Sequence, residues 1–118
     1  MEKKNLIKDR TFDFALMIIE LYKNLIVHKE YVISKQLLKC GTSIGANVEE
    51  AVAGQSKKDF IAKMAIASKE ARETGYWLRL LKASNLLKLN YEQYLSEINQ
   101  IINILTAIVK TSQSNPGS

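Results

Sequence analysis

A chain of 118 residues, 47% hydrophobic and 25% charged, is sized for one globular domain that buries a core without disulfides or a structural metal. A single cysteine, Cys40, excludes an intrachain disulfide, and a single histidine, His28, leaves no histidine pair at metal-ligand spacing. The formal net charge of +5 admits a polyanionic partner without requiring one, and no window nears the ~18 apolar residues of a membrane span. The charged N-terminus is not followed by the apolar run of a secretory signal, so a soluble, cytoplasmic protein with no membrane partner is expected.

The first helix is predicted over about residues 9–27, where Ala15, Ile18, Tyr22 and Leu25 recur at helical spacing. Phe14, Ile19, Leu21 and Ile26 widen its apolar arc. A connector from His28 to Ile33 leads to Ser34, the expected N-cap of a second helix over about residues 35–53. That helix turns Leu37, Leu38, Gly41, Ile44, Gly45, Val48, Ala51 and Val52 inward, and Gly54 is placed to stop it. Gly41 and Gly45 each cost about 1 kcal/mol relative to alanine in a helix interior. Such a pair is expected where another helix packs very closely, and the small Ala67, Ala71 and Thr74 further along the chain are the expected complement.

Ser56 and Asp59 form a capping-box-like start for the third and longest helix, which runs to about residue 84. Phe60, Met64, Ala67, Ala71, Thr74, Leu78 and Leu81 alternate steps of four and three without a break, the seam of an antiparallel bundle. Asn90 opens the fourth helix, whose seam reads Tyr91, Leu95, Ile98, Ile102, Leu105 and Val109. Tyr94, Ile101, Ile104 and Ile108 broaden that seam to an arc of roughly 150°. Helix 1 is similarly wide, and subunit contacts are expected on these two helices. The fold class is therefore all-α, an up-and-down antiparallel four-helix bundle over residues 1–110 that assembles into a closed homo-oligomer. Residues 111–118 are expected to be a disordered polar tail.

The charge is not spread evenly: residues 57–82 carry seven Lys and Arg against three Asp and Glu. With the helix 3 seam facing inward, Lys58, Lys69, Arg72, Arg79 and Lys82 project outward as a basic ridge that could track phosphates. Glu49 and Glu50 on helix 2, with Glu70 and Glu73 on helix 3, could meet across the hairpin. Bundles do build metal sites from inward glutamates, but they use Glu-x-x-His pairs, and His28 lies outside any such spacing. A polar cluster with Asn47, Trp77 or the neighbouring cations is expected instead, holding register or assembly, with no metal and no cofactor. His28 stands alone in a loop, Cys40 has no base at a readable spacing, and Gly41-x-x-x-Gly45 lacks the Lys-Ser/Thr of a phosphate-binding loop. No enzyme is expected.

Three stretches in order, from Tyr31 to Ala51, from Asp59 to Lys63 and from Ala67 to Leu81, resemble the bacterial four-helix bundle proteins encoded in intervening sequences of 23S ribosomal RNA genes. They are also similar to the accessory variability determinant protein of diversity-generating retroelements. The resemblance implies an up-and-down bundle that assembles as a homo-oligomer, a pentameric barrel in characterised relatives. In the retroelement relative, the basic barrel binds nucleic acid and a reverse transcriptase. The motif residues carried over are Gly41, Thr42, Ser43, Ile44, Gly45, Asn47, Glu49 and Glu50, with Glu70, Arg72, Glu73, Tyr76, Trp77 and Arg79 on helix 3. None is implied to be catalytic. Two functions are weighed first: nucleic-acid binding through the ridge of helix 3, and a protein–protein adaptor for a polymerase or ribosome-associated factor that uses the wide faces of helices 1 and 4. A third class, a metal-dependent enzyme on the glutamate cluster, would need metal bound in the purified protein.

Overall fold

The computed structural model describes residues 6–114, which form four helices: α1 (Leu6–Val27), α2 (Ile33–Val52), α3 (Lys57–Ser84) and α4 (Glu92–Gln113). Each packs on the next and α4 returns to α1, while among the described residues the backbones of diagonal helices stay apart. Cross-helix partners run in opposite directions: Lys8 meets Glu49, Lys63 meets Glu50, Arg72 meets Thr106 and Lys82 meets Glu92. The architecture is thus the expected antiparallel four-helix bundle. α4 reaches Gln113, three residues into the segment expected as tail, Ser114 caps it, and residues 115–118 lie outside the described residues.

Local chemistry explains the helix ends. Ser56 adopts an extended conformation and its hydroxyl accepts from the Asp59 amide at 3.1 Å, as the capping-box reading requires. Asn85 ends α3 in the left-handed region at φ 55°, a conformation asparagine tolerates. The Asn90 side chain accepts from the Glu92 amide at 3.0 Å. The start of α2 departs from expectation. Ser34 lies inside the helix, buried, with its hydroxyl unpartnered among the described residues. Glu30 caps instead, its carboxylate accepting from the amides of Val32, Ile33 and Ser34 at 3.1, 3.1 and 2.6 Å. An anion satisfies several free amides at the positive end of the helix dipole, where a hydroxyl satisfies one. Lys29, at φ 66°, turns the chain so that Glu30 can reach them.

The core is continuous, with Phe14, Ile18, Leu37, Ile44, Leu78, Ile98 and Leu105 fully excluded from solvent. On α1 the buried line is Ile7, Thr11, Phe14, Ile18, Leu21 and Leu25, which leaves Ala15 and Tyr22 half-buried on its flank. On α3 the expected seam is buried from Met64 to Leu81, while Phe60 is half-buried. Val52, expected inward, is 42% exposed at the last turn of α2.

The glycine pair is where the expectation fails most instructively. Gly41 and Gly45 face α1, not the small residues of α3. A β-carbon at Gly41 would stand 2.9 Å from both γ-carbons of Ile18, and one at Gly45 would stand 3.2 Å from the backbone oxygen of Thr11. The thin point of the bundle is therefore the α1–α2 crossing. Thr11 fits into that crossing because its hydroxyl donates to the Ile7 carbonyl at 2.8 Å, which satisfies a fully buried polar group within its own helix. The sparsest seam, between α1 and α4, is clamped by Arg10. Its guanidinium donates to both carboxylate oxygens of Glu97 at 2.6 and 2.9 Å and also to Gln100. The Glu97 hydrogen bonds hold the Arg10 pKa above its usual value.

Candidate nucleic-acid interface

At 100° per residue, the seam of α3 turns the opposite side of the helix outward, and Lys58, Lys69, Arg72, Arg79 and Lys82 are all exposed there. They are not electrostatically equivalent. Lys82 stands 2.6 Å from the Glu92 carboxylate and is neutralised by it. Lys58, Lys69, Arg72 and Arg79 have no acidic partner within ion-pair distance among the described residues. Arg72 donates to the neutral Thr106 hydroxyl at 2.9 Å, which orients the guanidinium without cancelling its charge. Lys8, Arg10, Lys23 and Lys63 pair with glutamates, whereas Lys29, Lys35, Lys39 and Lys88, off α3 and α4, also have no acidic partner within ion-pair distance among the described residues. Four of the five expected cations thus keep their full charge toward solvent.

The basic face extends onto α4. Arg72 and Lys110 line one shallow groove of about 250 Å³ between α3 and α4, together with Ser68, Thr106 and Gln113. Arg79 and Lys82 line a second groove of about 550 Å³ with Glu92, Leu95 and Asn99. Lys110 was not anticipated. The signal that could have found it is the antiparallel register: once Arg72 meets Thr106, the residue one turn further along α4 falls beside the same stretch of α3.

An aromatic side chain sits among these cations. Tyr76 is 47% exposed and packs edge-on against Trp77, with ring centroids 5.3 Å apart at 70°. The Arg79 guanidinium lies over the Tyr76 ring, 5.9 Å from its centroid. Trp77 is half-buried against the core and donates from Nε1 to Glu73 at 3.1 Å, which fixes the pair.

The glutamates do not converge as one cluster. Glu49 pairs with Lys8 of α1 at 3.6 Å and Glu50 with Lys63 of α3 at 3.3 Å, because neighbouring helical residues diverge by 100°. Glu70 and Glu73 lie further along α3, beside Cys40. Among the described residues no group of three or more His, Cys, Asp or Glu side chains could hold a metal ion. Asn47 donates to the Ser43 carbonyl of its own helix at 2.8 Å and so does not bridge to α3. Cys40 is buried, and burial pushes its thiol up to about 11, with Glu73 and Glu70 adding to the rise and the Thr74 hydroxyl opposing it.

The opposite side of the bundle has another character. Phe12 and Leu16 are 58% and 51% exposed, and with Ala15, Ile19, Thr42, Gly45 and Ala46 they line an apolar groove of about 350 Å³ between α1 and α2. The wide arc read on α1 is buried or half-buried, and the exposed Phe12 and Leu16 lie beyond it, next to Ile19, where the sequence reading does not place them. The extra apolar residues of α4 (Tyr94, Ile104 and Ile108 half-buried, Ile101 buried) pack against the bundle's own core instead.

Among the described residues no helix is long and apolar enough to cross a membrane. The chain is similar to a solved crystal structure from Bacteroides thetaiotaomicron, a protein of unknown function from the S23 ribosomal protein family. The two share 46% identity over 90% of this chain and 96% of that one, with a TM-score of 0.83. No curated protein matches the chain. The family model described as 23S rRNA-intervening sequence protein matches residues 3–107. With the bundle, the motif residues and this match in agreement, the chain belongs to the 23S rRNA-intervening sequence protein family.

Proposed function

We propose that this protein is a non-enzymatic, homo-oligomeric helical bundle that binds nucleic acid through the α3–α4 face. The observation that carries the reading is the concentration of unpaired charge along one helix. Lys58, Lys69, Arg72 and Arg79 are four exposed cations on α3 with no acidic partner within ion-pair distance among the described residues. Lys110 supplies a fifth positive charge beside Arg72. Exposed Phe12 and Leu16 support assembly through the α1–α2 face into a closed ring, pentameric as the resemblance implies, which would repeat the basic face around its circumference.

The reading is tested by fluorescence anisotropy with labelled RNA over a salt series. Joint replacement of Lys58, Arg72 and Arg79 by glutamine is expected to weaken binding by about 100-fold and to flatten the salt dependence by about two units for single strands. Unchanged affinity in that variant would remove the α3 assignment. A second reading, a protein–protein adaptor, is favoured by the apolar α1–α2 groove. It predicts an association with a protein that persists at high salt and no affinity for nucleic acid.

A further inference from the structure

The basic face carries a feature that charge alone does not call for. Lys69, Arg72, Tyr76 and Arg79 follow steps of three, four and three along α3, and so fall within an arc of roughly 80°. Among the described residues of α3, the exposed large apolar side chains are Ile66 and Tyr76, and Tyr76 is the aromatic one. It stands one turn beyond Arg72 and one turn before Arg79, so the two guanidinium-bearing residues are separated by roughly 10 Å along the helix axis with the ring between them.

The ring is also held in place. Trp77 packs against it edge-on at 5.3 Å and is itself fixed by the core and by Glu73, while Arg79 lies over the ring at 5.9 Å. A ligand that stacks here therefore orders few side chains on binding.

We propose that Tyr76, with Arg79 over its ring, is a stacking platform for an unpaired nucleobase, and that Arg72 and Arg79 take the phosphates on either side of that base. This rests on the nucleic-acid reading and narrows it to single-stranded ligand. In a duplex both faces of each base are occupied by neighbouring bases, so a side-chain ring gains nothing unless the base is first unstacked. A single strand offers its bases freely, and its phosphates follow a basic groove without sequence preference. Charge complementarity accounts for the strand backbone and the exposed ring accounts for the base.

The experiment compares a labelled single-stranded RNA with the duplex of the same sequence at one salt concentration, by anisotropy, with the assembly state of each variant followed by sedimentation. The wild-type protein is expected to prefer the single strand. Tyr76→Leu, which keeps apolar area but removes the π face, is expected to lose roughly 10-fold in single-strand affinity and little in duplex affinity, while Tyr76→Phe retains the preference. The emission of Trp77, the one tryptophan in the chain, is expected to change on binding of single strand to wild type and not to Tyr76→Leu.

Equal binding of both forms, with Tyr76→Leu silent, overturns the platform and leaves the basic-face reading standing. Binding of neither form by the wild type overturns both. A Tyr76→Leu variant that falls apart in sedimentation also overturns the platform, assigning the ring to a contact between subunits.

Discussion

The outer faces of α1–α2 and α3–α4 cover the same core and yet present opposite chemistry. The α3–α4 face carries unpaired Lys58, Lys69, Arg72 and Arg79, joined by Lys110 beside Arg72, with polar groups such as Thr106 and Gln113 between the helices. The α1–α2 face carries Phe12 and Leu16 over a groove whose one charged lining residue, Glu49, is paired with Lys8. Burying a large apolar side chain is worth about 1.5–3 kcal/mol, and the bundle forgoes much of that at Phe12 and again at Leu16. The difference teaches that bundle stability does not dictate the outer residues. One side presents unpaired positive charge to solvent and the other exposed apolar surface.

The largest effect that bears on this contrast is expected from a charge on the apolar face. Phe12→Glu combined with Leu16→Glu should leave the fold intact, because both side chains are exposed, but should convert the proposed assembly to smaller species in sedimentation. An unchanged sedimentation coefficient would break the division of labour between the two faces.

Next in size is the pH response of Cys40, on α2 where it faces α3. Its folded value of about 11 lies above the ordinary 9.0, so the folded state holds a proton that the unfolded chain releases first. Stability is unaffected below about pH 9 and falls as pH rises from there to about 11, by roughly 2–3 kcal/mol in total. Denaturant midpoints of wild type and Cys40→Ala across that range should converge as pH rises. Parallel curves would show that the thiol is not protected. Tyr91, whose value burial raises with help from Glu30, adds an alkaline loss common to both proteins.

The smallest and sharpest test compares a glycine on each side. Gly41→Ala forces its β-carbon to 2.9 Å from Ile18, and overpacking of about 1–3 kcal/mol exceeds the helix-propensity gain of about 1 kcal/mol, so a net loss is expected. Gly75→Ala meets nothing nearer than Ile102 at 3.6 Å and should stabilise by about 0.5–1 kcal/mol. Opposite signs in thermal unfolding are the expected outcome. The same sign at both sites would mean that the α1–α2 crossing yields more readily than its contacts indicate.

Much of this was legible from spacing alone. The four helices, their order, the cap at Ser56, the α3 seam and the basic ridge all follow from the 3.6-residue period and local hydrogen-bonding chemistry, which act over a few residues, whereas the N-cap expected at Asn90 falls one residue later, at Tyr91. What spacing could not decide was which neighbour each face meets. A helix inside a bundle buries a stripe between two neighbours, and small residues at Gly41 and Gly45 fit either one; only packing assigns them to Ile18 and Thr11 of α1. The same holds for the separate partners of Glu49 and Glu50, the neutralisation of Lys82 by Glu92 and the arrival of Lys110 beside Arg72. Each depends on the register between helices far apart in the chain. The sequence by itself determined four amphipathic helices and a basic outer face. The tertiary structure decided which charges remain unpaired and which apolar face stays open, because ion pairing and burial depend on distances between helices that no local pattern encodes.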